Sequence, residues 1–300
     1  MDVPLIDCDQ GTRGDGDIAR DIDAALSNTG FMALTNLGLG ADARDAIFSL
    51  SRRFFASPGE LKARCAYGAA ADNFGYQGLL EESLDPTRPA DLKETFTMRN
   101  LLKVADGDPR WPDEEFREVA AHFYARTMDA ARRLQRLLAL ALHMPADYFV
   151  ERHSGENITL RLLHYPPVAA DGVDTEQMGA GAHTDYGMLT LLVQDDVGGL
   201  QVQSADGAWH GVPPRDDAIV INSGDMLERW SNGRYRSTPH RVLPVAGARD
   251  RYSVALFLDP DSATRVEALP SCVDEAHPPR FAPTTAGQHL LERIEATHLG

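Results

Sequence analysis

Apolar and polar residues recur with a helical period through the first half of this chain and with a strand period through the second. Val3 to Asp7 reads as a short strand. A helix from about Asp17 to Ser27 follows, with Ile18, Ile22, Ala25 and Leu26 at helical spacing, and Gly30 stops it. Phe31 to Thr35 is a second candidate strand, and Asp42 to Phe55 a second helix ended by Ser57-Pro58-Gly59. The stretch from Ala66 to Asp91, rich in Gly, Ala, Asp and Pro, reads as loop. Pro112 suits the first position of a helix, with Asp113, Glu114 and Glu115 placing negative charge in its first turn. The stripe Phe116, Val119, Phe123, Met128, Leu134, Leu137, Leu138 and Leu142 extends that helix to about Met144. Arg117, Arg126, Arg132, Arg133 and Arg136 occupy its other positions and read as a solvated face.

From Asn157 the texture changes to short strands broken by Gly, Pro, Asn and Asp. They are Ile158–Tyr165, Gly181–Val193, Leu200–Gln203, Trp209–Val212, Ala218–Ile221, Tyr235–Leu243, Tyr252–Leu258 and Val266–Leu269. Such a run after a helical half predicts an α+β protein, a double-stranded β-helix (jelly roll) with helices, one of them a long scaffold helix, packed outside it. Thr284 to Leu299 reads as a closing helix. Without an internal repeat or flexible linker, the chain reads as one structural unit. Its parts are an amino-terminal region (1–115), the scaffold helix and connection (116–156), the jelly-roll core (157–270) and the carboxy-terminal segment (271–300).

Composition narrows the function. A formal charge of −16 argues against duplex DNA or an anionic membrane as partner, since both reward basic patches. Cys8, Cys65 and Cys272 are odd in number and form no C-x-x-C, so neither a disulfide framework nor a thiolate zinc site is expected. The amino terminus lacks a basic segment before an apolar run, and no stretch approaches the ~18–20 apolar residues of a membrane span. A cytoplasmic address is expected; the oligomeric state is left open.

The chemistry is concentrated around Gly181-Ala182-His183-Thr184-Asp185-Tyr186-Gly187. On a strand, residues two apart share a face, so His183 and Asp185 would point into one cavity. An imidazole nitrogen with a carboxylate oxygen suits a mid-row divalent metal, although H-x-D alone is also an ordinary polar strand end. A second histidine, His240 in Ser237-Thr238-Pro239-His240-Arg241-Val242, would complete the 2-His-1-carboxylate set of non-haem Fe(II) oxygenases. Arg251 and Ser253 share a face of a strand that otherwise reads as core. A buried guanidinium needs an anionic partner, and with a hydroxyl beside it would grip a carboxylate.

The ordered motifs RLLHYPP from Arg161, HTDYGMLTLL, STPHRV and RYSVALFLDP resemble the isopenicillin-N-synthase-like branch of the Fe(II)- and 2-oxoglutarate-dependent oxygenases. VPLID, GFMALTN and Asp91-Leu92-Lys93-Glu94-Thr95-Phe96 resemble that branch's earlier segments, and TAGQHLLERIEATH its closing helix, so the resemblance covers nearly the whole chain. It implies that His183, Asp185 and His240 are the catalytic iron ligands, and that Arg251, Ser253 and Tyr165 hold 2-oxoglutarate. It further implies that, with O2, a small organic molecule is hydroxylated, desaturated or cyclised with release of succinate and CO2. Leu163 stands where plant members often carry Asn, so co-substrate recognition differs there in detail. Two other functions fit the same residues: a 2-oxoglutarate-independent oxidase of the isopenicillin N synthase or aminocyclopropane-carboxylate oxidase type, and a non-catalytic metal-binding sensor. Phe74, Tyr76, Phe96, Met98, Tyr186 and Phe257 are candidates for lining an apolar substrate pocket, in specialised metabolism rather than protein modification. The motifs do not choose the substrate.

Overall fold

The computed structural model describes residues 2–69, 72–168, 176–247 and 249–298, so the last residue of the expected closing helix, Leu299, lies outside the described residues. The strands are β1 Leu5–Asp7, β2 Phe31–Thr35, β3 Phe74–Gln77, β4 Glu94–Arg99, β5 Thr159–Tyr165, β6 Pro167–Val168, β7 Ala180–His183 and β8 Leu189–Gln194. They continue with β9 Leu200–Gln203, β10 Trp209–Gly211, β11 Ala218–Ser223, β12 His240–Val242, β13 Val245–Ala246, β14 Arg251–Leu258, β15 Arg265–Val266 and β16 Thr284–Thr285. The helices are α1 Asp15–Asn28, α2 Ala41–Phe55, α3 Gly59–Arg64, α4 Glu114–Ala141, α5 Asp225–Trp230 and α6 Ala286–His298.

Among the described residues the large sheet runs β1-β2-β11-β8-β14-β5-β4-β3 and a smaller one β10-β9-β12-β7. The strand period decides which side chains enter the space between them. On β14, Tyr252, Val254, Leu256 and Leu258 join the core shared with the helices, whereas Ala255 and Phe257 turn toward the small sheet. Arg251 and Ser253 share the second face. On β5, Leu160 and Leu162 go to the helix side, Leu163 and Tyr165 to the interior. The long helix and α2 pack against the outer face of β14, and α1 lies along α4. This is the expected jelly roll with outer helices. No helix among the described residues is long and apolar enough to cross a membrane.

Several expected elements differ. Residues 66–91 are not all loop: Phe74–Gln77 pairs antiparallel with β4, a short edge strand disguised by Gly75 within it. Asp113, not Pro112, organises the start of α4; its carboxylate accepts the Phe116 N–H at 2.7 Å, a cap worth about 1 kcal/mol. The arginines of α4 do more than face solvent. Arg133 donates to the carbonyls of Asn36 and Cys8, and Arg126 to that of Gly38, fastening the helix to the loop after β2 and the end of β1. The strand expected over Tyr235–Leu243 shrinks to His240–Val242, and α5, with Met226, Leu227 and Trp230 buried, stands just before it.

The expected strand Gly181–Val193 is two strands, and this matters most. β7 belongs to the small sheet and β8 to the large one, so the chain leaves the ladder after His183 and crosses between sheets over residues 184–188. Asp185 therefore sits in a turn, not two places along a strand. The turn docks on the start of α5: the N–H groups of Gly224, Asp225 and Met226 donate to the carbonyls of Met188, Asp185 and Gly187. Two glycines permit this approach. A Cβ on Gly224 would lie 2.4 Å from the Gly187 carbonyl oxygen, and one on Gly187 1.5 Å from Asp259 Oδ1.

Candidate active site

His183 and His240 face each other because β7 and β12 pair antiparallel with these two residues as direct cross-strand partners. Their ring centroids are 4.3 Å apart. His183 Nδ1 is 2.7 Å from the Gly181 carbonyl oxygen and His240 Nδ1 3.2 Å from that of Thr238, an orientation that leaves both Nε2 atoms aimed inward. Asp185 Oδ1 lies 3.8 Å from Nε2 of His183 and 3.7 Å from Nε2 of His240. All three donor atoms fall within 4.8 Å of one another. The other carboxylate oxygen, Oδ2, accepts hydrogen bonds from Asn222 Nδ2 at 2.7 Å and from the Thr190 hydroxyl.

The electrostatics favour a cation here. Burial, and then the adjacent His240 ring, hold the His183 imidazole well below its usual range. For Asp185 burial acts upward, but the His240 and His183 rings and the bonds from Thr190 and Asn222 outweigh it, and the net shift is downward. A neutral imidazole beside an ionised carboxylate is the state a divalent metal needs. Asp259, behind the turn, is pushed up to about 7 by burial and by the charge of Asp185. Two imidazole nitrogens and one carboxylate oxygen, each with its second atom held by the protein, fit an ion such as Fe(II).

Asn222 and Thr190 were not singled out by the sequence, although each is a polar residue in an apolar strand at an inward-facing position. They are cross-strand partners on β11 and β8, which brings both donors to one carboxylate. Asn222→Ala is expected to weaken Fe(II) binding about 10- to 100-fold while leaving the three ligands in place. Anaerobic Fe(II) titration checks this, and an unchanged affinity would show that the orientation of Asp185 does not depend on Asn222.

Arg251 is 1% exposed and forms no ion pair with a carboxylate among the described residues. Its guanidinium donates to the Gly198 carbonyl, to Gln194 Oε1 at 3.1 Å and to the Ser253 hydroxyl at 3.4 Å. The Tyr165 ring, cross-strand from it, lies 4.6 Å away. Gln194 Nε2, buried beside this group, has no hydrogen-bond partner. A buried cation without an ion-pair partner among the described residues, with an orphaned amide donor next to it, suits an incoming carboxylate. Leu163 faces Ser253 across the β5–β14 ladder and adds no polar contact.

The six aromatic and apolar candidates separate. Phe257 turns inward beside Thr190, and Tyr186 lies in the turn itself with the Arg293 guanidinium 4.8 Å from its ring. Phe74, Tyr76, Phe96 and Met98 do not join them. Register sets them on the outer face of the sheet, where Phe96 packs 5.1 Å from Phe54 and 4.8 Å from Phe116. Tyr76 packs on Phe54 and donates to Glu94. Phe31, which the sequence did not mark as a site residue, takes an inward place with its ring edge-on to His240 at 5.4 Å.

Comparison with known proteins places this geometry in context. Residues 156–260 match the 2OG-Fe(II) oxygenase superfamily, and residues 3–117 the family described as non-haem dioxygenase in morphine synthesis N-terminal. The chain is 34% identical to the 2-oxoglutarate-dependent dioxygenase citB of Monascus ruber, over 93% of this chain and 88% of that one. It is 32% identical to the homoarginine-6-hydroxylase of Glycine max, again over 93% and 88%. A full-length Neurospora crassa protein, crystallised with alpha-KG and thymine, superposes with a TM-score of 0.86 at 30% identity, covering 98% of this chain and 97% of that one.

Proposed function

The chain belongs to the 2OG-Fe(II) oxygenase superfamily, and from that we infer that His183, Asp185 and His240 hold its Fe(II) while Arg251, Ser253 and Tyr165 hold 2-oxoglutarate. It is an Fe(II)- and 2-oxoglutarate-dependent oxygenase of the isopenicillin-N-synthase-like branch. Bound iron supplies the dioxygen chemistry that splits 2-oxoglutarate into succinate and CO2 and oxidises a C–H bond of the substrate. The single observation that carries the residue assignment is the convergence of two Nε2 atoms and one Oδ1 within 4.8 Å.

The protein's own work is positional. Gly181 and Thr238 fix the imidazoles, Asn222 and Thr190 fix the carboxylate, and Arg251 with Gln194 Nε2 receives the far carboxylate of 2-oxoglutarate. The apolar interior around Phe31, Phe257 and Leu163 excludes water, which strengthens each of these contacts. The substrate is a small organic molecule, a reading supported by the likeness to a structure holding thymine. Hydroxylation is the expected outcome.

Anaerobic addition of 2-oxoglutarate to the Fe(II)-loaded protein is expected to produce a visible metal-to-ligand band. No change on addition, with substrate oxidation still proceeding, would identify an oxidase that does without 2-oxoglutarate.

A further inference from the structure

In the motif that ends β5, Tyr165 turns to the interior and its neighbour His164 to the helix side of the sheet. There the His164 ring stacks at 4.8 Å on Tyr252 of β14 and at 5.4 Å on Phe55 of α2. Its two nitrogens meet two carboxylates. Nδ1 is 2.7 Å from Glu94 Oε1 on β4, and Nε2 is 2.7 Å from Oδ1 of Asp250, the residue just before β14. Nothing in the iron or 2-oxoglutarate assignments uses this histidine.

Its place in the ladder gives it a task. Arg251 and Tyr165 are cross-strand partners where β14 begins and β5 ends, so the pair assigned to 2-oxoglutarate is the terminal rung of that ladder. Strand ends open at little cost in free energy unless something holds them. On the β8 side Asp195 does so: its N–H donates to the Tyr252 carbonyl and its carboxylate accepts the Tyr252 N–H. On the β5 side the His164–Asp250 bond crosses the same rung diagonally, on the face away from the clamp.

That bond depends on a proton. A carboxylate accepts and cannot donate, and a neutral imidazole carries a single N–H. Burial acts upward on Glu94, but the bonds from His164, Tyr76 and Lys62 outweigh it and hold the carboxyl below its usual range, so Nδ1 donates to an ionised group. Lys62 of α3 and Tyr76 of β3 both donate to Oε2 and leave Oε1 to the ring. Tyr252, on which Arg52 of α2 and Asp195 act, and the uncharged Phe55 complete the surroundings. Among the described residues only His164 bonds the Asp250 side chain. The bond therefore exists only while Nε2 carries the second ring proton. Without it, a lone pair faces a carboxylate oxygen.

We propose that His164 is a positioning residue whose doubly protonated ring staples the terminal rung to Asp250 and makes 2-oxoglutarate affinity depend on pH, a role that rests on the assignment of Arg251 and Tyr165 above. At lower pH the ring holds both protons, and the two clamp residues stay in register for the incoming carboxylate. As pH rises and Nε2 loses its proton, Asp250 is released, the rung opens more often and 2-oxoglutarate binds less tightly. The Asp250 side chain is 45% exposed, so solvent screens the pair and the effect is modest.

The test titrates 2-oxoglutarate into the full-length protein saturated anaerobically with Fe(II), from about pH 6 to about pH 8.5, the span in which histidine changes charge. Binding is read from the metal-to-ligand band and by calorimetry, and variants are compared as ratios to the unsubstituted protein so that titration elsewhere cancels. Asp250→Ala is expected to bind about three- to tenfold more weakly at the acid end, with the ratio falling toward one at the alkaline end. Asp250→Asn is expected to match the unsubstituted protein at the acid end and to exceed it at the alkaline end. Its amide oxygen accepts from the protonated ring, and its N–H donates to a bare Nε2. A merely structural loss would weaken both variants alike at every pH. In the metal-free protein, the 15N shifts of the His164 ring are expected to show two protonated nitrogens at the acid end. An Asp250→Ala ratio that does not move with pH, an Asp250→Asn protein that loses affinity in step with the unsubstituted one, or a singly protonated ring at the acid end overturns the proposal. Unchanged affinity in Arg251→Met would instead strike the clamp assignment itself, so the two failures are distinguishable.

Discussion

Asp185→Ala is expected to abolish tight Fe(II) binding and all substrate-coupled succinate production, and His183→Ala to do the same. The carboxylate is the only anionic member of the donor set, so its loss removes both a ligand and the charge that offsets a dication. It also strands Asn222 Nδ2 and the Thr190 hydroxyl, which both donate to it, at about 1–3 kcal/mol for each buried group. Some fall in thermal stability therefore accompanies the loss of metal. Asp185→Asn separates the two effects, because it keeps the side chain's size and removes its charge. Iron titration and succinate formation should collapse in both variants, while the thermal transition of the metal-free protein should move less for Asn than for Ala. Normal turnover in Asp185→Ala or His183→Ala would falsify the assignment of these residues to the metal.

How much of this was legible beforehand depended on the range over which each feature is determined. The type of the long elements follows from local periodicity, and α1, α2, α4, β5 and β14 stand close to where the pattern put them. His183 and Asp185 do converge, but for a reason other than strand alternation: a crossing turn, held by Gly187, Gly224 and the start of α5, brings the carboxylate back to the histidine. A turn between two sheets has no periodic signature. The four misplaced substrate candidates fail on the same ground. Phe74, Tyr76, Phe96 and Met98 are large and apolar, yet the face they occupy depends on the register of β4 against β5. One step along either strand would have turned them inward. Thr95 and Thr97 take the inner face instead, small polar residues that no hydrophobicity pattern would select. Asn222 and Gln194 were easier to find in principle, as polar residues at the ends of mostly apolar strands.

Arg251→Met is expected to raise the KM for 2-oxoglutarate by about a hundred- to a few thousandfold, with Fe(II) affinity close to that of the unsubstituted protein. Removing one member of a buried, hydrogen-bonded charge pair costs about 3–5 kcal/mol, and each 1.4 kcal/mol is a factor of ten. The methionine fills similar space beside Tyr165 and carries no charge, so the effect reports the guanidinium and not a cavity. The variant should not be severely unstable. In the free protein the hydrogen-bond partners of Arg251 are all neutral, namely the Gly198 carbonyl, Gln194 and Ser253, and burying a cation without an ion pair is itself unfavourable. A site that is poorly compensated alone and well compensated with a dianionic co-substrate stabilises the complex selectively. Hence 2-oxoglutarate should raise the thermal transition of the original protein more than that of Arg251→Met. Arg251→Lys falls between them, since it retains the charge but loses the planar fork that meets both carboxylate oxygens. An unchanged KM for 2-oxoglutarate in Arg251→Met would place the co-substrate's far carboxylate elsewhere.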